Sequence, residues 1–107
     1  MILKGLYNTK IDRMTTAKYE SYMFRVFGVM ISEDLSSYKS KGFIMKDIWY
    51  RLYIPYIEDN KIYSFKHENM EYIGCYYGII NLKQRLKELI KTRPDYFKNL
   101  AQIMKGD

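Results

Sequence analysis

Ile48-Trp49-Tyr50-Arg51-Leu52-Tyr53-Ile54-Pro55-Tyr56-Ile57, then Glu58-Asp59-Asn60-Lys61, then Ile62-Tyr63-Ser64-Phe65-Lys66, His67-Glu68-Asn69 and Met70-Glu71-Tyr72-Ile73-Gly74-Cys75-Tyr76-Tyr77 form the stretch on which the fold turns. Three runs rich in Tyr, Ile and Trp alternate with two polar clusters. Aromatic and β-branched side chains suit a half-buried pleated surface, and Asp, Asn and Glu between them suit turns. The spacing predicts a three-stranded antiparallel meander with strands over 48–57, 62–66 and 70–77. Pro55 has no N–H to give to a ladder, so the first of these strands is expected to be an edge or to bulge there. A further short strand, Ile2–Tyr7, brings the count to three or four.

Helical periodicity flanks this centre on both sides. Tyr19, Tyr22, Met23, Val26, Phe27 and Met30 recur at the i, i+3, i+4, i+7 spacing of an amphipathic helix, with Thr15 or Thr16 as its N-cap. A strand over 22–31 is the competing reading, because Tyr, Phe, Val and Ile dominate there. Residues 32–42 are mostly Ser, Lys, Glu and Asp and read as a surface connection with one helical turn. On the C-terminal side, Ile79, Leu82, Leu86, Leu89 and Ile90 form one apolar stripe and Tyr96, Phe97, Leu100, Ile103 and Met104 a second. Pro94 stands near the start of the second helix and Gly106 beyond its end. The fold class is therefore α+β: a small antiparallel meander packed by an N-terminal helix and a C-terminal helical hairpin, with residues 1–107 as a single globular domain.

Composition narrows the function. The chain has 107 residues, 48% hydrophobic and 28% charged, with a net charge of +6. That balance excludes collagenous, low-complexity and membrane-spanning classes. Neither a signal peptide nor a membrane helix is legible, and the single Cys75 has no disulfide partner, so a cytoplasmic protein is expected. Residues with AT-rich codons (Phe 5, Tyr 12, Met 7, Ile 13, Asn 5, Lys 13) total 55, against 15 from Gly, Ala, Arg and Pro. An AT-rich genome follows, of the kind found in low-GC bacteria and their phages, plasmids and viruses; in a host cell infected by one, the protein would be cytoplasmic.

Catalytic signatures are few. The only histidine, His67, falls in a turn between strands, where a solvated side chain is expected. One Cys and one His do not supply a zinc site, and no Gly-rich loop carries the Lys-Ser/Thr of a phosphate cradle, so neither a metal nor a nucleotide cofactor is expected. Glu33-Asp34 and Glu58-Asp59 fall in predicted surface turns. One stretch carries a resemblance: Lys61-Ile62-Tyr63, Tyr72-Ile73-Gly74 and Asn81-Leu82-Lys83-Gln84-Arg85 resemble the GIY-YIG endonucleases. The resemblance implies a nuclease in which Tyr63 and Tyr72 lie near the attacking water and Arg85 contacts the scissile phosphate. Lys61 stands where that family has Gly, and the spacings between the three elements differ from the family's.

Basic charge is concentrated near the C-terminus. Residues 81–107 hold seven Lys and Arg against three acidic residues, which is +4 of the net +6. Lys83, Arg85, Lys87, Lys91, Arg93 and Lys98 are therefore the candidate contacts to a nucleic acid or partner protein, with tyrosines able to stack on unpaired bases. The same residue types are enriched at protein interfaces. The expectation is a non-enzymatic binding protein of phage, viral or mobile-element origin. It would occupy nucleic acid or a nucleic-acid-handling host protein, as a host-defence inhibitor of the anti-CRISPR type does. The alternatives are the GIY-YIG-like nuclease or a basic RNase-type toxin, and a structural, oligomer-forming subunit. Trp49, five Phe and twelve Tyr exceed what one small core hides, so a homodimer is expected, through the aromatic face of the meander or the outer side of the C-terminal hairpin.

Overall fold

Tyr50, Leu52 and Ile54 are buried, whereas Trp49 and Arg51, each preceding one of them, face solvent, the two-residue alternation of a strand with one dry face. The structure is a computed structural model and describes residues 9–106; the expected strand Ile2–Tyr7 lies outside the described residues. In chain order the elements are α1 (Thr9–Asp12), α2 (Thr16–Phe27), β1 (Met30–Ser40), β2 (Phe43–Ile54), β3 (Ile57–Glu58), β4 (Lys61–Ile62), a 3-10 turn (His67–Asn69), β5 (Glu71–Tyr77), α3 (Gly78–Thr92) and α4 (Pro94–Met104). The main sheet is antiparallel with strand order β1-β2-β5, and β3 and β4 pair in a separate two-stranded sheet. The architecture is α+β, with a helix before the sheet and a helical hairpin after it.

The strands are not the three the sequence predicts. Residues 32–42, expected to be a surface connection, supply most of β1, an outer strand of the sheet. Glu33-Asp34 accordingly sit in a strand rather than in a turn. Of the run 62–66, only Ile62 joins a strand, in the small hairpin β3–β4, and that hairpin stands apart from the main sheet. The physical reason lies in pairing. β5 pairs with β2 only over Trp49–Ile54, so the distal parts of β1 and β2 form a two-stranded ribbon wet on both faces. A ribbon of that kind needs no apolar alternation, and Leu35, the one aliphatic residue in 32–42, is 67% exposed. Pro55 also behaves differently: it follows the end of the central strand, and the bulge lies at Leu52/Tyr53. Residues 22–27 are helical, but Met30, expected on the helical stripe, opens β1, because Gly28 ends α2 in the left-handed region.

Tight turns set the register. Lys41 and Gly42, both with positive φ (51° and 82°), join β1 to β2, and Asp59 and Asn60 (52° and 60°) join β3 to β4. Two-residue loops with positive φ at both positions match the twist of the strands they connect.

All of the helical packing falls on one face of the sheet. Tyr19, Met23 and Phe27 from α2, Leu82 and Leu86 from α3, and Phe97 and Leu100 from α4 are fully buried there. The Phe27 and Phe97 rings meet edge to face with centroids 5.3 Å apart. Burying each such side chain contributes about 1.5–3 kcal/mol. The Tyr96 hydroxyl donates to the Pro55 carbonyl, tying α4 to the end of β2. The distal ribbon extends away from this core. The radius of gyration, 15.2 Å, therefore exceeds the about 13 Å expected of a compact chain of this length.

Gly28 ends α2 in the left-handed region at φ 69°, its N–H donating to the Phe24 carbonyl at 2.8 Å. A Cβ there would lie 3.0 Å from Ile62 Cδ1, 3.1 Å from Phe65 Cε1 and 3.3 Å from Met104 Sδ. Gly28→Ala combines backbone strain with this crowding and is expected to lower stability by at least about 1–2 kcal/mol. Urea unfolding measures it, and an unchanged midpoint would contradict this account of the cap.

Candidate functional site

Strand parity creates the site. Since helices cover the face carrying Tyr50, Leu52 and Ile54, the alternate residues Trp49, Arg51 and Tyr53 lie on the opposite face, where the 3-10 turn brings His67 onto Tyr53 and leaves Trp49 and Arg51 exposed. β5 adds Tyr72 opposite Tyr53 and Tyr77 opposite Trp49, with Cys75 opposite Arg51. The bulge at Leu52/Tyr53 puts both Tyr72 and Tyr77 on this open face, although they stand an odd number of positions apart, at 72 and 77. Gly74 points the other way, and the Tyr76 hydroxyl lies where a Cβ of Gly74 would point.

The rings are held by one another. Trp49 and Tyr77 meet at 5.2 Å between centroids, Tyr53 and Tyr72 at 5.4 Å, and His67 stacks flat on Tyr53 at 4.3 Å and 3°. The Tyr77 hydroxyl donates to Asp47 at 2.8 Å, and Arg51 donates to Asp34 at 2.7 Å. Tyr72 and Tyr77 remain 53% and 50% exposed, and Trp49 39%. By parity the strands place one cation here, Arg51, and it is already paired with Asp34, while Asp47 adds a second negative charge. The face is an aromatic platform close to electrical neutrality.

The residues singled out in the sequence lie elsewhere, with one exception. Lys83 donates to the carbonyls of Asp12 and Met14 and lies over the Tyr19 ring, so it fastens α1 to α3. Lys87 pairs with Asp12 at 3.3 Å, Arg93 with Glu71 at 3.4 Å, and Arg85 with the Tyr76 hydroxyl and Glu88. Lys91 and Lys98 are exposed on α3 and α4. The exception is Tyr72, which lies on the open face. Tyr63 directly follows β4, in the other sheet, and donates its N–H to the Tyr56 carbonyl. The two triplets of the nuclease resemblance thus belong to separate sheets, and Arg85 lies on the helix-covered side of β5. Among the described residues, no three His, Cys, Asp or Glu side chains gather where a metal ion would sit. No helix there is long and apolar enough to cross a membrane. Comparison of the chain with protein-family models, curated proteins and solved structures finds no match.

Behind the platform lies a pair of carboxylates. Glu20 of α2 faces Glu33 of β1, which is opposite the buried Tyr50 in the ladder. Glu20 Oε1 is shielded from water and meets no donor, because its neighbour is another acceptor. Burial first, and Glu33 second, push the Glu20 carboxyl up from 4.5 to about 6. Burial also raises the Tyr50 phenol, partly offset by a hydrogen bond with Thr16. A raised folded-state value means the folded chain holds the Glu20 proton more tightly than the unfolded chain does. The stabilisation is fully present below about pH 4.5 and is lost as pH rises through about 6. Glu20→Gln, neutral at every pH, is expected to stabilise the protein at pH 7.5 and to change little at pH 4. Urea unfolding at the two values checks it; an equal effect at both would remove the charge explanation.

Proposed function

We propose that this chain is a non-enzymatic binding protein that engages a protein partner through the open face of its main sheet. The observation that carries the reading is a sheet face without a covering layer on which Trp49, Tyr72 and Tyr77 are exposed and held in place by neighbouring rings. Trp, Tyr and Arg dominate interface hot spots, and rings already fixed by their neighbours lose little freedom on binding. The charge on this face favours protein over nucleic acid. Gripping phosphates takes available cations, whereas Arg51 is bonded to Asp34, and Lys83, Lys87, Arg85 and Arg93 are engaged in contacts within the fold. In this reading the chain comes from a phage, virus or other mobile element and acts as a homodimer in the host cytoplasm. Its partner is then a nucleic-acid-handling host protein, as for a host-defence inhibitor. The abundance of residues whose codons are AT-rich supports the origin, and the extent of exposed aromatic surface supports the dimer.

Trp49 is the only tryptophan, so its fluorescence reports the platform directly. Addition of single-stranded DNA or RNA at low salt is expected to leave that emission unchanged. Affinity capture from a lysate of the host cell is expected to retain the same protein on the wild type and on Lys91→Glu/Lys98→Glu, and to lose it on Trp49→Ala/Tyr72→Ala. Truncation of a hot-spot aromatic costs about 2 kcal/mol or more, roughly thirtyfold in affinity. A saturable shift of Trp49 emission by oligonucleotide, abolished by Tyr72→Ala, would move the reading to nucleic acid. Metal-dependent cleavage of plasmid that disappears in Arg85→Ala would replace it with the nuclease.

A further inference from the structure

The outer edge of β1 is the longest unpaired strand edge among the described residues, eleven residues without a proline. Ser40 and Phe43 flank a two-residue turn, so they form a hydrogen-bonded pair, and the even-numbered residues of β1 direct their backbone groups to β2. The odd-numbered residues Ile31, Glu33, Leu35, Ser37 and Lys39 therefore direct theirs outward. Such an edge is a template for another strand. Two further observations say which strand. Glu20 and Glu33 form an acid pair, and the ion pairs among the described residues involve neither of them. Leu35, 67% exposed, stands on the same face of β1 as Glu33.

We propose that two copies of the chain join by antiparallel pairing of their β1 edges about a two-fold axis at Ser36, which sets Glu33 of each copy opposite Lys39 of the other. An axis at Ser37 would set Glu33 against Lys41, which lies in the turn outside β1, and registers on the other side are poorer in charge. An axis at Leu35 puts Glu33 opposite Ser37, and an axis at Asp34 opposes two aspartates. The Ser36 register sets residues of opposite charge, Glu33 and Lys39, at facing ladder positions twice across the axis. It also brings the two Leu35 residues into diagonal contact across the axis. Pairing of this kind is isologous, as a two-fold contact requires. It continues the sheet to six strands with the helices of both copies on one side, so the two aromatic platforms lie together on the other side, free for a partner. The inference rests on the dimer proposed above and assigns its surface.

Three measurements test it. Sedimentation equilibrium near 10 µM is expected to give twice the chain mass of 13.0 kDa. In a Cys75→Ser background, Ser36→Cys is expected to form an intermolecular disulfide under mild oxidation, since self-opposed residues in a non-hydrogen-bonded pair lie about 4.5 Å apart between Cα atoms, and Ser32→Cys is not. Glu33→Lys is expected to weaken the dimer at least tenfold, and adding Lys39→Glu to restore it, while circular dichroism shows each variant folded. Trp49 stays open to acrylamide in this dimer. A dimer that shields Trp49, or that leaves Ser36→Cys unlinked, would overturn the edge assignment and leave the dimer standing on another face. A 13.0 kDa species at every concentration would overturn both.

Discussion

The fold depends on the two-sidedness of one strand. Among the described residues β2 is the only strand paired on both of its edges, and over its second half Tyr50, Leu52 and Ile54 enter the core while Trp49 and Arg51 stay in water. With three helices covering the dry side of so small a sheet, the wet side keeps no helix among the described residues and is met by the His67 ring on Tyr53. Each helix is held by what it buries against β2 or against its helical neighbours. The order Tyr50, Leu52, Ile54 thus decides at once where the core lies and which rings remain outside it.

That constraint also separates what the sequence revealed from what it concealed. The helical hairpin was legible because its two stripes repeat at helical spacing and every turn of them is buried, from Leu82 to Ile90 and from Phe97 to Ala101. The turn at Asp59-Asn60 was legible from its residue types. β1 was not, because a ribbon strand with two wet faces carries no hydrophobic period, and its exposed serines look like those of a loop. The run from Ile62 to Lys66 misled for the opposite reason: its apolar residues serve the small hairpin and the cap at Gly28, where Ile62 and Phe65 close over the end of α2.

The basic residues of the helical hairpin carry a similar ambiguity. Net charge counts residues without regard to their partners, and most of the basic residues of the hairpin prove to be the means by which α1, β5 and α3 are held in place. The aromatic platform was anticipated as the exposed side of a meander, but its members were assignable only once the parity of β2 and the bulge in β5 were known. The alternation Trp49, Arg51, Tyr53 was present in the sequence as the signal. Without the neighbouring strand, nothing distinguished it from the buried set.

The ribbon formed by the distal halves of β1 and β2 has a thermodynamic consequence of its own. A two-stranded ribbon is only marginally stable in water, and among the described residues the ladder between β2 and β5 stops at Trp49, leaving the Tyr77 hydroxyl on Asp47 as the link from β5 to the ribbon. Its local opening free energy falls well below that of the core, so backbone amides past that point exchange with solvent while those of Tyr50 to Ile54 stay protected. The molecule therefore carries its own stability gradient along a single strand. Whatever contacts the ribbon also sets how much of it is folded, and binding there is coupled to ordering.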